Sequence, residues 1–121
     1  MNINKIKVIV SIALLVLYSA TYAYKREVPS FYPTIQQGIL AANNGDTVSV
    51  WVHTVPPDTY YDNINFLGKN ILVVNRSYIE NTGYPPNPND IVIDGQQKGS
   101  VVTFNHNENH DAILKGFTIR T

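Results

Sequence analysis

The folded part of the chain opens with one stretch of helical spacing and then alternates like a series of strands. In "TIQQGILAANNGD", Ile35, Ile39 and Ala42 recur at i, i+4 and i+7, which puts them on one apolar face. Thr34 supplies an N-cap, and Gln37 stands three residues later to complete a capping box. Gly38 interrupts the run at a cost of about 1 kcal/mol relative to Ala. Gly45 follows at the stop, where a left-handed residue is needed. Such a helix has about two to three turns, is unstable alone and must cover an apolar surface.

Everything after it reads as strand and turn. "TVSVWV" alternates with Val48, Val50 and Val52 on one side, and "NINF" does the same with Ile64 and Phe66. "NILVVN" is almost wholly apolar, as in a strand buried on both faces. "DIVID", "SVVTF" and "AILKGFTIRT" follow, separated by the turn-rich "LGKN", "DGQQKG" and "NHNENHD". "ENTGYPPNPND" is longer, carries three prolines and reads as an inserted loop. Val48 to Ile71 is 23 residues, Ile71 to Ile91 is 20 and Ile91 to Ile113 is 22. A recurrence of about 20–25 residues predicts stacked rungs. Hairpins are not expected, because the sole Asn-Gly pair ends the helix.

The first 23 residues have a different character. Lys5 and Lys7 precede an apolar run from Val8 to Leu17, and small residues follow, as in a secretory signal peptide cleaved after Ala23. The run is about half the roughly 20 residues a spanning helix needs. The expected organisation is a signal peptide at 1–23, an extended lead at 24–33 and the folded part at 34–121. The expected location is secreted, extracellular or cell-surface, with the periplasm as a further compartment, and no membrane span after cleavage.

Charge and composition narrow the classes. Nine basic and nine acidic residues cancel, which leaves no basic field for nucleic acid. Cysteine is absent, so neither disulfides nor thiolate metal sites exist. Frequent Tyr and a low charged fraction suit β structure with many turns.

Four ordered blocks carry a resemblance. "YPTIQQGILAANNGDTVSV", "TYYDNINFLGKNILVV", "IVIDGQQKGSVVTF" and "LKGFTIRT" resemble the amino-terminal part of right-handed parallel β-helix proteins of the pectin-lyase-like type, over residues 32–121. The resemblance implies an all-β fold, a right-handed parallel β-helix solenoid. The helix of Thr34, Ile35, Gln37, Ile39 and Gly45 would cap its first coil. The chain would be the front two to three coils of a longer protein, truncated at the carboxyl end. One corner departs from the pattern: where Pro-Gly-Thr-Tyr is usual, the chain has "VHTVPPDTYYDN", with Asp58 in the glycine's place and Asp62-Asn63 where Glu-Asn is frequent. That corner is expected to be wide and its carboxylates solvated.

Candidate chemistry is sparse. The resemblance implies an extracellular polysaccharide as partner, with further coils of the parent or self-association at the open end. Outward tyrosines, Tyr60 or Tyr61, and Trp51 suit stacking on sugar rings. His106, Glu108, His110 and Asp111 in "HNENHD" have metal-ligand identities, calcium among the candidates, in a segment that otherwise reads as a solvated turn. Asp94 precedes Gly95 and reads as a turn residue. Asn63, Asn65, Asn70 and Asn75 suit amide ladders between rungs, and "NRS" at Asn75 fits a glycosylation acceptor. No nucleophile–base pair and no cofactor motif stands out. The expectation is a polysaccharide-associated chain with no complete catalytic site, whose parent is a lyase, hydrolase or esterase. The alternative is an adhesin-like, purely structural protein.

Overall fold

The computed structural model describes residues 22–121; apart from Tyr22 and Ala23, the expected signal peptide lies outside them. One α-helix, α1 (Ile35–Ala41), stands among nine short strands. These are β1 (Lys25–Val28), β2 (Thr47–Val50), β3 (Asp58–Tyr61), β4 (Ile64–Asn65), β5 (Leu72–Asn75), β6 (Ile91–Asp94), β7 (Val102–Thr103), β8 (Ile113–Lys115) and β9 (Thr118–Arg120). All pairings are parallel: β1-β2-β5-β8 form one sheet, β3-β6-β9 a second and β4-β7 a third.

This overturns the all-β solenoid expected from the resemblance. The described chain is mixed α/β, with 13% helix and 30% strand in three small parallel sheets, and no closed solenoid is seen. The strands are only two to four residues long. Between them the backbone turns through left-handed residues such as Leu67, Gln96, Gln97 and Asn107. The register also differs from the spacing argument. Val48 pairs with Val73, and Ile113 pairs with Leu72, while Ile91 lies in another sheet opposite Asp58. The chain passes to the second sheet after β5 just as it does after β2, so equal spacing does not mean vertical stacking.

The helix belongs to the core. Ile35, Ile39 and Ala42 are buried with Val28, Val48, Val50, Ile64 and Phe66 in one cluster. Thr34 has extended backbone, and its Oγ1 accepts from Gln37 N at 3.1 Å. Gln36 tethers the helix to β4, accepting from Asn65 N at 2.7 Å and donating to Asn65 O at 3.2 Å. At the other end Lys69 Nζ donates to the carbonyls of Ile39 (2.7 Å) and Leu40 (2.8 Å) in the last turn, where the Ile39 carbonyl also accepts from Ala42 N at 3.1 Å. Gly38 is explained by packing. A Cβ there would sit 2.9 Å from Val48 Cγ1 and 3.0 Å from Val28 Cγ2, so the backbone entropy it costs is offset by close approach to β1 and β2.

The lead is not a free arm, because it contains β1. Lys25–Val28 pairs along its length with Thr47–Val50, and Trp51 N donates to Val28 O at 2.9 Å. Likewise "DTYY" in the expected wide corner is β3, paired with β6. "AILKGFTIRT" breaks into β8 and β9 at Gly116, whose φ of 86° and closeness to Tyr78 (2.6 Å from an added Cβ to the ring) demand glycine.

Candidate functional site

Residues from two separated stretches, 29–34 and 53–62, meet in one open cleft of about 510 Å³, within the range of roughly 300–1,000 Å³ typical of ligand sites. Pro29 and Pro33 of the lead, with Thr34 at the start of α1, line one part. His53 after β2 and residues Asp58 to Asp62, which take in β3, line the rest. The lead reaches this place because β1 is locked to β2, after which Phe31 N and Tyr32 N both turn back to donate to Glu27 O at 3.1 Å.

Strand alternation sorts the two adjacent tyrosines. Tyr61 is 64% exposed and lines the cleft. Tyr60 is half-buried against the core, and its hydroxyl donates to Trp51 O at 2.6 Å. Burial, reinforced by the Asp58 charge, pushes the Tyr60 phenol well above its ordinary pKa, so it stays a donor. Asp58 and Asp62 are not freely solvated. Asp58 Oδ2 accepts from His53 N, and Asp62 Oδ2 accepts from Gln36 N at 3.0 Å. These bonds fix both side chains at the cleft and stitch it to the helix and to the segment after β2.

Trp51 stands elsewhere in function. The Arg76 guanidinium lies 3.2 Å from its ring centroid, and the indole N–H is buried without a partner in the structure. That face is occupied by a cation–π contact and is not open to a sugar.

The "HNENHD" residues do not converge. Glu108 accepts from Gly68 N and His106 N, each at 2.8 Å, and acts as a turn brace. Its carboxyl is raised by burial, but those N–H groups outweigh this and hold it below its ordinary value. His110 lies 3.3 Å from Asp111 on the exposed surface. Among the described residues no three His, Asp or Glu side chains form a group able to hold a metal ion.

The amides serve structure. Asn44 Oδ1 accepts from Asn70 N, Asn70 Oδ1 from Asn109 N and Asn109 Oδ1 from Asp111 N, at 2.8–2.9 Å, a ladder running across successive turns. These turns edge a second, shallow depression of about 450 Å³ beside Gly45, whose φ is 87°. Asn63 Nδ2 donates to Ser100 O at 3.1 Å. Asn75 is 2% exposed, and its Nδ2 is spent on Gly116 O (3.0 Å) and Asn87 O (3.2 Å), which removes it as a glycosylation acceptor in the folded chain. Asp94 braces its turn, accepting from Gln96 N at 2.8 Å and from Arg120 Nε at 2.9 Å.

Sequence reasoning missed His53, Pro29 and Pro33. The sequence holds no local sign of them, since the lead and β3 meet only through the β1–β2 pairing. No family model, curated protein or solved structure matches the chain, and nothing assigns it to the pectin-lyase-like family. Among the described residues no helix is long and apolar enough to cross a membrane.

Proposed function

We propose that this chain is an exported carbohydrate-binding protein that holds a segment of extracellular polysaccharide in the cleft beside β3. The observation that carries the reading is Tyr61. Its ring is presented to solvent at a cleft whose lining includes two hydrogen-bonded carboxylates. An exposed aromatic face takes the apolar face of a pyranose, and neighbouring carboxylates accept from its hydroxyls. The sides are proline rather than flexible chain, so little side-chain entropy is lost on binding. The leader-like sequence of residues 1–23 supports the exported location. The role proposed is binding; turnover is no part of it.

The test is isothermal titration of the full chain with gluco-, xylo- and glucosamine hexasaccharides. Tyr61→Ala is expected to weaken binding about 3- to 10-fold, the loss of roughly 0.5–1.5 kcal/mol for an aromatic contact. Its thermal midpoint should be unchanged, because the ring is exposed. Trp51→Phe should leave affinity unaltered. Unchanged affinity in Tyr61→Ala would remove the cleft from the account.

A further inference from the structure

The cleft has a one-sided chemistry. Asp58 and Asp62 project into it, and no Lys or Arg lines it. Backbone N–H groups and the buried phenol around the cleft are already taken by the chain, which leaves the His53 ring and the Thr59 and Tyr61 hydroxyls as its open donors. Gln36 N donates to Asp62, Gln37 N to Thr34 Oγ1, His53 N to Asp58 and the Tyr60 hydroxyl to Trp51 O. Arg120, on the strand two along from β3, is engaged as well, pairing with Asp94 at 2.8 Å. Each cleft carboxylate has one oxygen bound by backbone N–H and its other oxygen without a partner among the described residues. The site therefore offers two free carboxylate oxygens and no Lys or Arg to balance them.

We infer that the cleft selects amine-bearing glycan chains, such as polymers of glucosamine, and rejects chains of uronic acids. The inference rests on the reading of the cleft as a glycan site and names its substrate class. A protonated amine satisfies a carboxylate oxygen by a charge-assisted hydrogen bond. A uronate carboxylate in the same place meets the like charge of Asp58 and Asp62 and finds no Lys or Arg to pair with. Because the cleft is open to solvent, the discrimination is screened by salt.

The experiment uses the full chain and three hexasaccharides of matched length, of glucosamine, glucose and galacturonic acid. Titrations are run at low and high salt, at a pH where the amines are protonated. Glucosamine hexamer is expected to bind about tenfold or more tighter than galacturonate hexamer at low salt, with the gap narrowing at high salt. The Asp58→Asn/Asp62→Asn double variant should lose most of that preference while still binding the glucose hexamer. Galacturonate binding as tightly as glucosamine overturns the charge selection and leaves the glycan reading intact. Failure of all three hexamers to bind overturns that reading and this inference together. A preference that persists in the double variant shows that other groups select the amine and overturns the roles of Asp58 and Asp62.

Discussion

Replacing Phe66 with alanine is expected to destabilise the chain by about 3–5 kcal/mol, the range for truncating a buried aromatic. Phe66 has no exposed surface and is the largest fully buried side chain among the described residues. It follows β4, so it lies where helix, first sheet and third sheet meet, and Phe66 N donates to Thr103 O on β7 at 3.1 Å. Its ring stacks on Phe104 at 4.2 Å between centroids. Phe104 is itself half-open to solvent, so it cannot fill the space left behind without losing its own packing. A small domain has about 5–15 kcal/mol of stability in all, so the variant should sit near the edge of unfolding at room temperature. Urea unfolding followed by circular dichroism measures this, and a loss under about 1 kcal/mol would mean that the core is not organised around this ring.

Asp46→Ala is expected to cost a similar amount, about 3–5 kcal/mol, because it breaks a buried ion pair from one side. Asp46 is 3% exposed. Its carboxylate accepts from Tyr24 N (2.8 Å), Asn43 N (2.9 Å) and the Arg26 guanidinium (3.1 and 3.2 Å). It thereby clamps the start of β1 and the exit of α1 to the start of β2. Burial pushes its pKa up, but the two N–H bonds and Arg26 outweigh burial and hold the carboxyl below its ordinary value. Glu80 is lowered by hydrogen bonds from Lys25 and Arg76, and Asp94 by Gln96 N–H and Arg120. The unfolded chain takes up these protons first, so the stabilisation is complete above the unfolded carboxylate range of about 4 and is lost as pH falls through the lower folded values. Stability should therefore drop steeply below about pH 4. The gap between the native chain and Asp46→Asn, which cannot titrate there, should shrink over the same window. A gap that stays constant from neutral to acid pH would show that Asp46 contributes no charge-dependent stability.

Legibility in the sequence followed how local each interaction is. The helix was readable because cap and apolar face lie within a few residues, and Thr34, Ile35 and Ile39 all take part as drawn. "NILVVN" and "DIVID" were readable because burial on both faces leaves an unbroken apolar run. β1 was not readable: "KREV" has a single buried apolar residue, Val28, and becomes a strand only because β2 offers a free edge. Tertiary pairing overrode local composition there, as it did for "DTYY" in β3. The expected rungs failed for a related reason. Hydrophobic spacing records which residues are buried and not which sheet they join, so Ile91 fitted the period and sits in a different sheet from Val48.

The site shows the same division. That one of two adjacent tyrosines faces outward follows from the pleat, but which one depends on the register of β3 with β6. Trp51 looked like a sugar platform because an indole is amphipathic. Arg76, brought over it by the turn after β5, was not foreseeable from spacing. The "HNENHD" cluster misled because residue identity says nothing of direction. Glu108 turns back onto its own turn and Gly68, while His110 and Asp111 face solvent.

The most direct test of the account is to map the ligand on the protein. The full chain, labelled with nitrogen-15, is titrated with glucosamine hexamer, and amide shifts are followed residue by residue. The largest changes are expected at Thr34, His53, Thr59, Tyr61 and Asp62, fading away from the cleft, with their loss in Tyr61→Ala. Shifts centred on Trp51, on residues 106–111 or at the depression beside Gly45, with the cleft silent, would contradict it.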